Sequence, residues 1–206
     1  FKLVRTRDKA LIESADYVID VGGEYDPETN RFDHHQRGGA GKRDNGIPYS
    51  SLGLIWQKYG VEICNGNQDV ANSLDAGLVS TIDAIDCGHV KGVPEGISLS
   101  QTISMFNPTW QEDSHFDTCF DEAGDFASSV LTRFIAAANG GISAKTIVAT
   151  AIENAQDPRV IVLEKYTPWK RTVHALSDKA LYMIYPSQTG QWRIQTVPIE
   201  PGSFED

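Results

Sequence analysis

Apolar and polar positions fall into short blocks along the chain. Residues 2–5 read as a short strand and residues 8–15 as a short helix. Residues 17–21 form an apolar run that stops at Gly22-Gly23, the pattern of a buried parallel strand. Asp20 interrupts that run near its carboxyl end, the edge at which open α/β sheets bind ligands. Residues 25–31 carry turn chemistry: Pro27 presets φ and Asn30 tolerates the left-handed region. Residues 49–59 predict a helix with Ser50 or Ser51 as N-cap. Val70, Leu74, Leu78 and Ile82 recur every four residues and predict one amphipathic helix over 70–85. Residues 87–100 form a loop rich in Gly and Pro, and 100–106 a helical turn halted by Asn107-Pro108. The longest predicted helix, 116–138, closes at Asn139-Gly140-Gly141. Another follows over 143–155, with Ser143 as N-cap. After Asp157-Pro158 the texture changes. Residues 160–163 predict a strand, 168–176 a short helix opened by proline, and 181–185 and 192–197 two strands joined by a turn at 188–190.

This order gives an α/β chain with a boundary near residue 157. The 206 residues are enough to bury a core without staples. With 40% hydrophobic and 22% charged residues, wholesale disorder is excluded. The formal net charge of −10 argues against a nucleic-acid coat protein. It does not exclude a nucleic-acid enzyme, because a carboxylate site is acidic until cations bind. Cys64, Cys87 and Cys119 are odd in number, widely spaced and without a C-x-x-C. They exclude a disulfide framework or zinc ribbon and predict a reducing, intracellular compartment. No continuous apolar run approaches the ~18 residues of a membrane span, so no membrane partner is expected.

Asp33-His34-His35 is the sharpest chemical feature. It offers two imidazoles that can ligate metal or move protons, behind a carboxylate that can orient them. On a regular strand the two histidines would point to opposite faces, so both serve one site only if the strand ends there. The alternative is a surface histidine pair. Asp20, at the end of a buried strand, needs a partner or a metal; the alternative is an aspartate capping the glycine turn. Asp83 and Asp86 stand three apart on a helix, on one face, near a C-terminus that disfavours anions. A cation would compensate them; a solvated helix end is the plainer reading. The loop Arg37-Gly38-Gly39-Ala40-Gly41-Lys42-Arg43 fails as a P-loop. It is either a flexible basic loop that touches phosphate or a merely mobile one. Trp110, Trp169 and Trp192 are candidates for base stacking or, more ordinarily, for core.

Several strings together resemble one family. They are Val4-Arg5-Thr6-Arg7-Asp8, the run from Val18-Ile19-Asp20-Val21-Gly22-Gly23 to Pro27, and Arg31-Phe32-Asp33-His34-His35-Gln36-Arg37. Further on come Ser50-Ser51-Leu52-Gly53, Asp83-Ala84-Ile85-Asp86, Asn107-Pro108-Thr109-Trp110 and Gly190-Gln191-Trp192-Arg193. In order and spacing they are similar to the MYG1 (UPF0160) family, a branch of the DHH phosphoesterase superfamily.

The resemblance implies a Rossmann-like parallel-sheet DHH domain over 1–114, a helical linker over 115–157 and the start of an α+β substrate domain over 158–206. It implies a manganese- or magnesium-dependent phosphodiesterase, with two ions in the full-length protein, acting as a 3′–5′ exonuclease on RNA or short oligonucleotides. For eukaryotic members it implies mitochondria and nucleus. By the same resemblance Asp20, His34 and Asp86 (less so Asp83) are metal ligands. Asp33 orients, His35 faces the scissile phosphate, and Arg37 meets phosphate. The family's first motif, T-H-x-G-x-F-H-x-D-E, and its C-terminal F-I-G-G have no counterpart here. The chain is therefore expected to be the middle of a longer protein or a degraded homologue. A non-catalytic nucleotide- or RNA-binding homologue and a small-molecule phosphoester hydrolase are the rival readings.

Overall fold

In the computed structural model, which describes residues 2–90, 96–113 and 115–200, helix α1 (Lys9–Ser14) begins where Asp8 accepts the N–H groups of Ala10 and Leu11. That cap is the local reason for a helix here, since none of its residues is buried. The next strands are very short: β1 (Val18–Ile19), β2 (Tyr25–Asp26) and β3 (Arg31–Phe32). They form a mixed sheet of order β1-β3-β2, with β1 and β3 parallel and β2 antiparallel. Residues 2–5 are not a strand. They are exposed and pair with no strand among the described residues.

Helix α2 (Ser51–Ile63) is capped by Ser50, whose hydroxyl accepts the Leu52 N–H. The predicted single helix over 70–85 is more complex. Helix α3 (Gln68–Leu74), a π-helical turn (Asp75–Val79) and helix α4 (Ser80–Asp86) run on from one another. The π-turn inserts one residue into the four-residue rhythm. The buried positions therefore run Val70, Leu74, Val79, Asp83, while Leu78 and Ile82 turn partly outward. Helix α5 (Leu99–Ser104) carries a reciprocal capping box between Ser98 and Gln101. Residues 91–95 of the predicted 87–100 loop lie outside the described residues.

Helix α6 (Phe116–Glu153) is continuous over 38 residues, so the expected break at Asn139-Gly140-Gly141 does not occur. Neither glycine takes a positive φ. Interior glycine costs only about 1 kcal/mol relative to alanine, which helical sequence on both sides can absorb. Among the described residues α6 alone is long and apolar enough, by length and composition, to cross a membrane.

The chain divides into two compact units, Phe1–Ile135 and Ala136–Asp206, so α6 contributes to each. In the second unit the change of texture after Asp157 marks the start of a sheet. It comprises β4 (Val160–Val162), β5 (Tyr182–Pro186) and β6 (Trp192–Thr196), with β4 and β5 parallel and β5 and β6 antiparallel. Helix α7 (Lys170–Leu176) starts after Trp169. Val148 of α6, Ile161, Leu163, Trp169, Val173 and Met183 form the buried apolar cluster of this unit. Among the described residues the chain is α/β, with two small mixed sheets.

Candidate metal centre

Parallel pairing of Val18 with Arg31 and Ile19 with Phe32 brings the carboxyl ends of β1 and β3 side by side. Asp20 follows one end and Asp33-His34-His35 the other. Asp20 donates its N–H to Phe32 O at 3.1 Å and sits at φ 61°, left-handed for a residue that is not glycine. Asp tolerates this region better than most residues, but the conformation still costs about 1–2 kcal/mol. The chain then turns through Gly22 and Gly23, both at positive φ. The carboxylate that holds this turn is Asp33, whose Oδ2 accepts the Gly23 N–H at 2.6 Å. Asp20 is thereby left free of the capping role. Its Oδ1 instead accepts from Ser51 Oγ at 3.0 Å.

Because β3 ends at Phe32, both histidines reach the same side. Their rings meet edge to face, with centroids 4.4 Å apart. His34 Nε2 lies 3.6 Å from Asp20 Oδ1 and 3.5 Å from Asp86 Oδ2, which arrives from the end of α4. Ligand atoms around an ion with ~2.1 Å bonds are roughly 3.0–3.5 Å apart. His34 Nε2 thus stands at ligand-sharing distance from each of the two carboxylates. Asp20, His34 and His35 can also each offer one ligand atom, all within 4.8 Å of one another.

Asp33 is buried, and its Oδ1 takes both the backbone N–H and the Nδ1 of His35, the latter at 2.6 Å. Burial pushes the Asp33 carboxyl up, but the Gly23 N–H and the His35 contacts outweigh it and hold it below the usual range. The hydrogen bond to Asp33 raises the His35 imidazole, against the effect of burial. Burial raises Asp86, and nearby Asp20 adds to this while His34 opposes it. A bound cation would remove both penalties on Asp86.

Asp83 goes elsewhere. It is fully buried, with Oδ1 accepting from Ser50 Oγ at 2.5 Å and from the Gly53 N–H at 3.1 Å. Its Oδ2 meets Arg43 Nη1 at 2.6 Å. Arg43 also pairs with Asp75 at 2.6 Å and lies over the Tyr49 ring. The cation that compensates this helix-end carboxylate is thus the protein's own arginine. The same contacts show that the Arg43 end of the glycine-rich loop is pinned, helped by the Lys42–Pro48 bridge. Arg37 is exposed and makes no ion pair among the described residues. Trp169 is core, whereas Trp110 and Trp192 are exposed.

Five further side chains stand at or beside the site without a motif that marks them as site residues. Ser51 reads in the sequence as a helix cap. Cys87, whose Sγ lies 3.5 Å from His34 Nδ1, carries no motif; burial raises its thiol. Arg7, Lys9 and Arg31 line a cavity of about 640 Å³ together with Asp20, Asp33 and His35. The only hint was the basic Arg5-Thr6-Arg7 string.

The profile of the MYG1 exonuclease family, described as an uncharacterised protein family (UPF0160), matches residues 1–206. The chain belongs to this family. It is 34% identical over 242 aligned positions to the MYG1 exonuclease of Bos taurus, covering 99% of the chain and 63% of that relative. Against the MYG1 protein YER156C of Saccharomyces cerevisiae it is 32% identical, covering 99% of the chain and 71% of the yeast protein. Against the MYG1 exonuclease of Homo sapiens it is 32% identical, covering 99% and 64%. The chain thus spans less than two thirds of the length of these mammalian relatives. No solved structure matches.

Proposed function

We propose that the protein is a metal-dependent phosphodiesterase of the DHH type that removes nucleotides from the 3′ end of RNA or short single-stranded oligonucleotides. The observation that carries this reading is that His34 Nε2 faces both Asp20, at 3.6 Å, and Asp86, at 3.5 Å, beside the Asp33–His35 pair. Relatives named MYG1 exonuclease support the reaction class. Mixed carboxylate and imidazole ligation suits Mn²⁺, with Mg²⁺ as the alternative. Two ions are proposed for the reaction; Asp20, His34 and Asp86 are a set for one, and a second takes further ligands. When bound, such cations supply Lewis-acid polarisation of a phosphoryl oxygen and activation of water.

The remaining roles belong to the chain itself. Ser51 donates to Asp20 Oδ1, the same oxygen that faces His34 Nε2, and so fixes its position. Asp33 holds a proton on His35 Nδ1 and favours the imidazolium, and the exposed ring then has an Nε2–H that can donate to a phosphate oxygen. Arg7, Lys9 and Arg31 offer three cations along the adjoining cavity, interspersed with Glu13 and Glu24. Arg37 remains a proposed phosphate contact. An intracellular setting is part of the proposal, supported by three free cysteines.

The test is Mn²⁺-dependent digestion of a 5′-labelled RNA oligonucleotide. A ladder shortening from the 3′ end is expected. Asp20→Ala and His34→Ala should each lose at least about a hundredfold in rate, the scale of a lost electrostatic element. Wild-type rates in either variant would sink the assignment. Strong competition by mononucleotides would favour a small phosphoester substrate instead.

A further inference from the structure

His34 is gripped at both ring nitrogens by consecutive residues from the end of α4. Asp86 Oδ2 lies 3.5 Å from Nε2, and Cys87 Sγ lies 3.5 Å from Nδ1. A neutral imidazole carries one proton, so its two nitrogens take opposite roles. Nε2 can ligate a cation only when the proton sits on Nδ1, and Nδ1–H then needs an acceptor. The carboxylates facing Nε2 stand at 3.5 and 3.6 Å, beyond the 2.7–3.2 Å of an N–H···O hydrogen bond. They are therefore poorly placed to draw the proton to that side. The His34 side chain is only 11% exposed, which limits water as a substitute acceptor.

Cys87 is itself held in place. Its backbone N–H donates to Asp83 O at 2.9 Å, closing the last turn of α4. The Asp83 side chain is locked by Arg43, Ser50 and Gly53.

We propose that Cys87 is a positioning residue whose sulfur accepts the Nδ1–H of His34 and so fixes Nε2 as the cation-facing nitrogen. This rests on reading Asp20, His34 and Asp86 as metal ligands. Asp86 and Cys87 then act as a pair: one residue shares the cation with the ring, and the next sets which nitrogen the ring presents.

The experiment reads the His34 tautomer directly. Long-range ¹H–¹⁵N correlation spectra are recorded on ¹⁵N-histidine-labelled, metal-free protein near pH ~8, where a free imidazole is neutral. His34 is assigned among the five histidines by the signals lost in His34→Gln. The wild type is expected to show the Nδ1–H tautomer, and Cys87→Ala a shift towards Nε2–H. In parallel, Mn²⁺ affinity should fall about 10–100-fold in Cys87→Ala, the usual effect of losing an outer-shell partner. It should stay within roughly threefold of wild type in Cys87→Ser, whose hydroxyl also accepts.

An Nε2–H tautomer in the wild type overturns the proposal. So does Cys87→Ala with wild-type tautomer and affinity, or Cys87→Ser as impaired as Cys87→Ala. If Cys87→Ala does not fold, the wild-type spectrum and Cys87→Ser still decide. Failure of the wild type to bind Mn²⁺ would contradict the proposed function, while the tautomer would still decide the role of Cys87.

Discussion

The two units solve the problem of burial differently. In Ala136–Asp206 the interior is apolar: Val148, Ile161, Leu163, Trp169, Val173 and Met183 pack beneath strands of three to five residues. In Phe1–Ile135 the strands have two residues each, and two carboxylates, Asp33 and Asp83, are buried among the described residues. Their charges are met by backbone N–H groups, Ser50, His35 and Arg43 rather than by water. Both units remove apolar area from water, Phe32, Leu54 and Val70 among the buried residues of the first, but only Phe1–Ile135 also buries and fixes charged carboxylates. Directional contacts between charges hold positions that packing alone leaves loose. This is the arrangement expected where side chains must present fixed atoms to a ligand.

The contrast breaks most visibly at Arg43. Replacement by Met leaves Asp83 buried without its cation and Asp75 without a partner, so a loss of about 3–5 kcal/mol is expected by denaturant titration. A loss below about 1 kcal/mol would mean that Ser50 and Gly53 alone satisfy Asp83. In the apolar unit, Met183→Ala removes a fully buried side chain and should cost about 2–5 kcal/mol through the cavity it leaves. The two variants should differ in salt dependence, since buried charge is the issue in only one.

Gly53→Ala sharpens the point at single-atom scale. A Cβ there would stand 2.1 Å from Asp83 Oδ2. It must displace a carboxylate held by three partners, at about 1–3 kcal/mol. Ser50→Ala loses both a helix cap and an Asp83 partner, and a loss of about 1–2 kcal/mol is expected.

The smallest effect is in pH. Asp33 is held below the usual carboxylate range, so it contributes stability above its unfolded pKa of about 3.9, lost as pH falls through the lower folded value. Asp157 is lowered to about 2 by Arg159 and obeys the same sign, but the pair is exposed and screened. Acid unfolding of Asp33→Asn should show a flatter limb below about pH 4, whereas Asp157→Asn should follow the wild type.

Legibility in the sequence followed the same divide. Caps are local, and α2 was placed by the Ser50-Ser51 pair. In the apolar unit the apolar run at 160–163, the alternation at 192–197 and the turn at 188–190 made the strands and hairpin readable. The π-turn was not, because one inserted residue leaves composition unchanged while rotating Val79 and Asp83 inward in place of Leu78 and Ile82. Nor was the continuity of α6 through Asn139-Gly140-Gly141, where neighbouring helix overrides a stop signal. At the site, Asp20 and Asp33-His34-His35 stood out because carboxylates and imidazoles beside short strands need an explanation. The resemblance favoured Asp86 over Asp83, but the physical reason for setting Asp83 apart, Arg43 forty residues away in sequence, was not readable. Ser51 and Cys87 act through distance alone.

The central claim is that Asp20, His34 and Asp86 form a cation site that does not hold the fold together. It is tested by Mn²⁺ titration of the wild type against Asp20→Asn, a change that keeps the left-handed backbone and removes the charge. The account predicts at least one ion per wild-type chain, affinity lower by at least about tenfold in Asp20→Asn, and metal-free unfolding free energies within about 0.5 kcal/mol of each other. Equal affinity in the two proteins, or no binding by either, would contradict it.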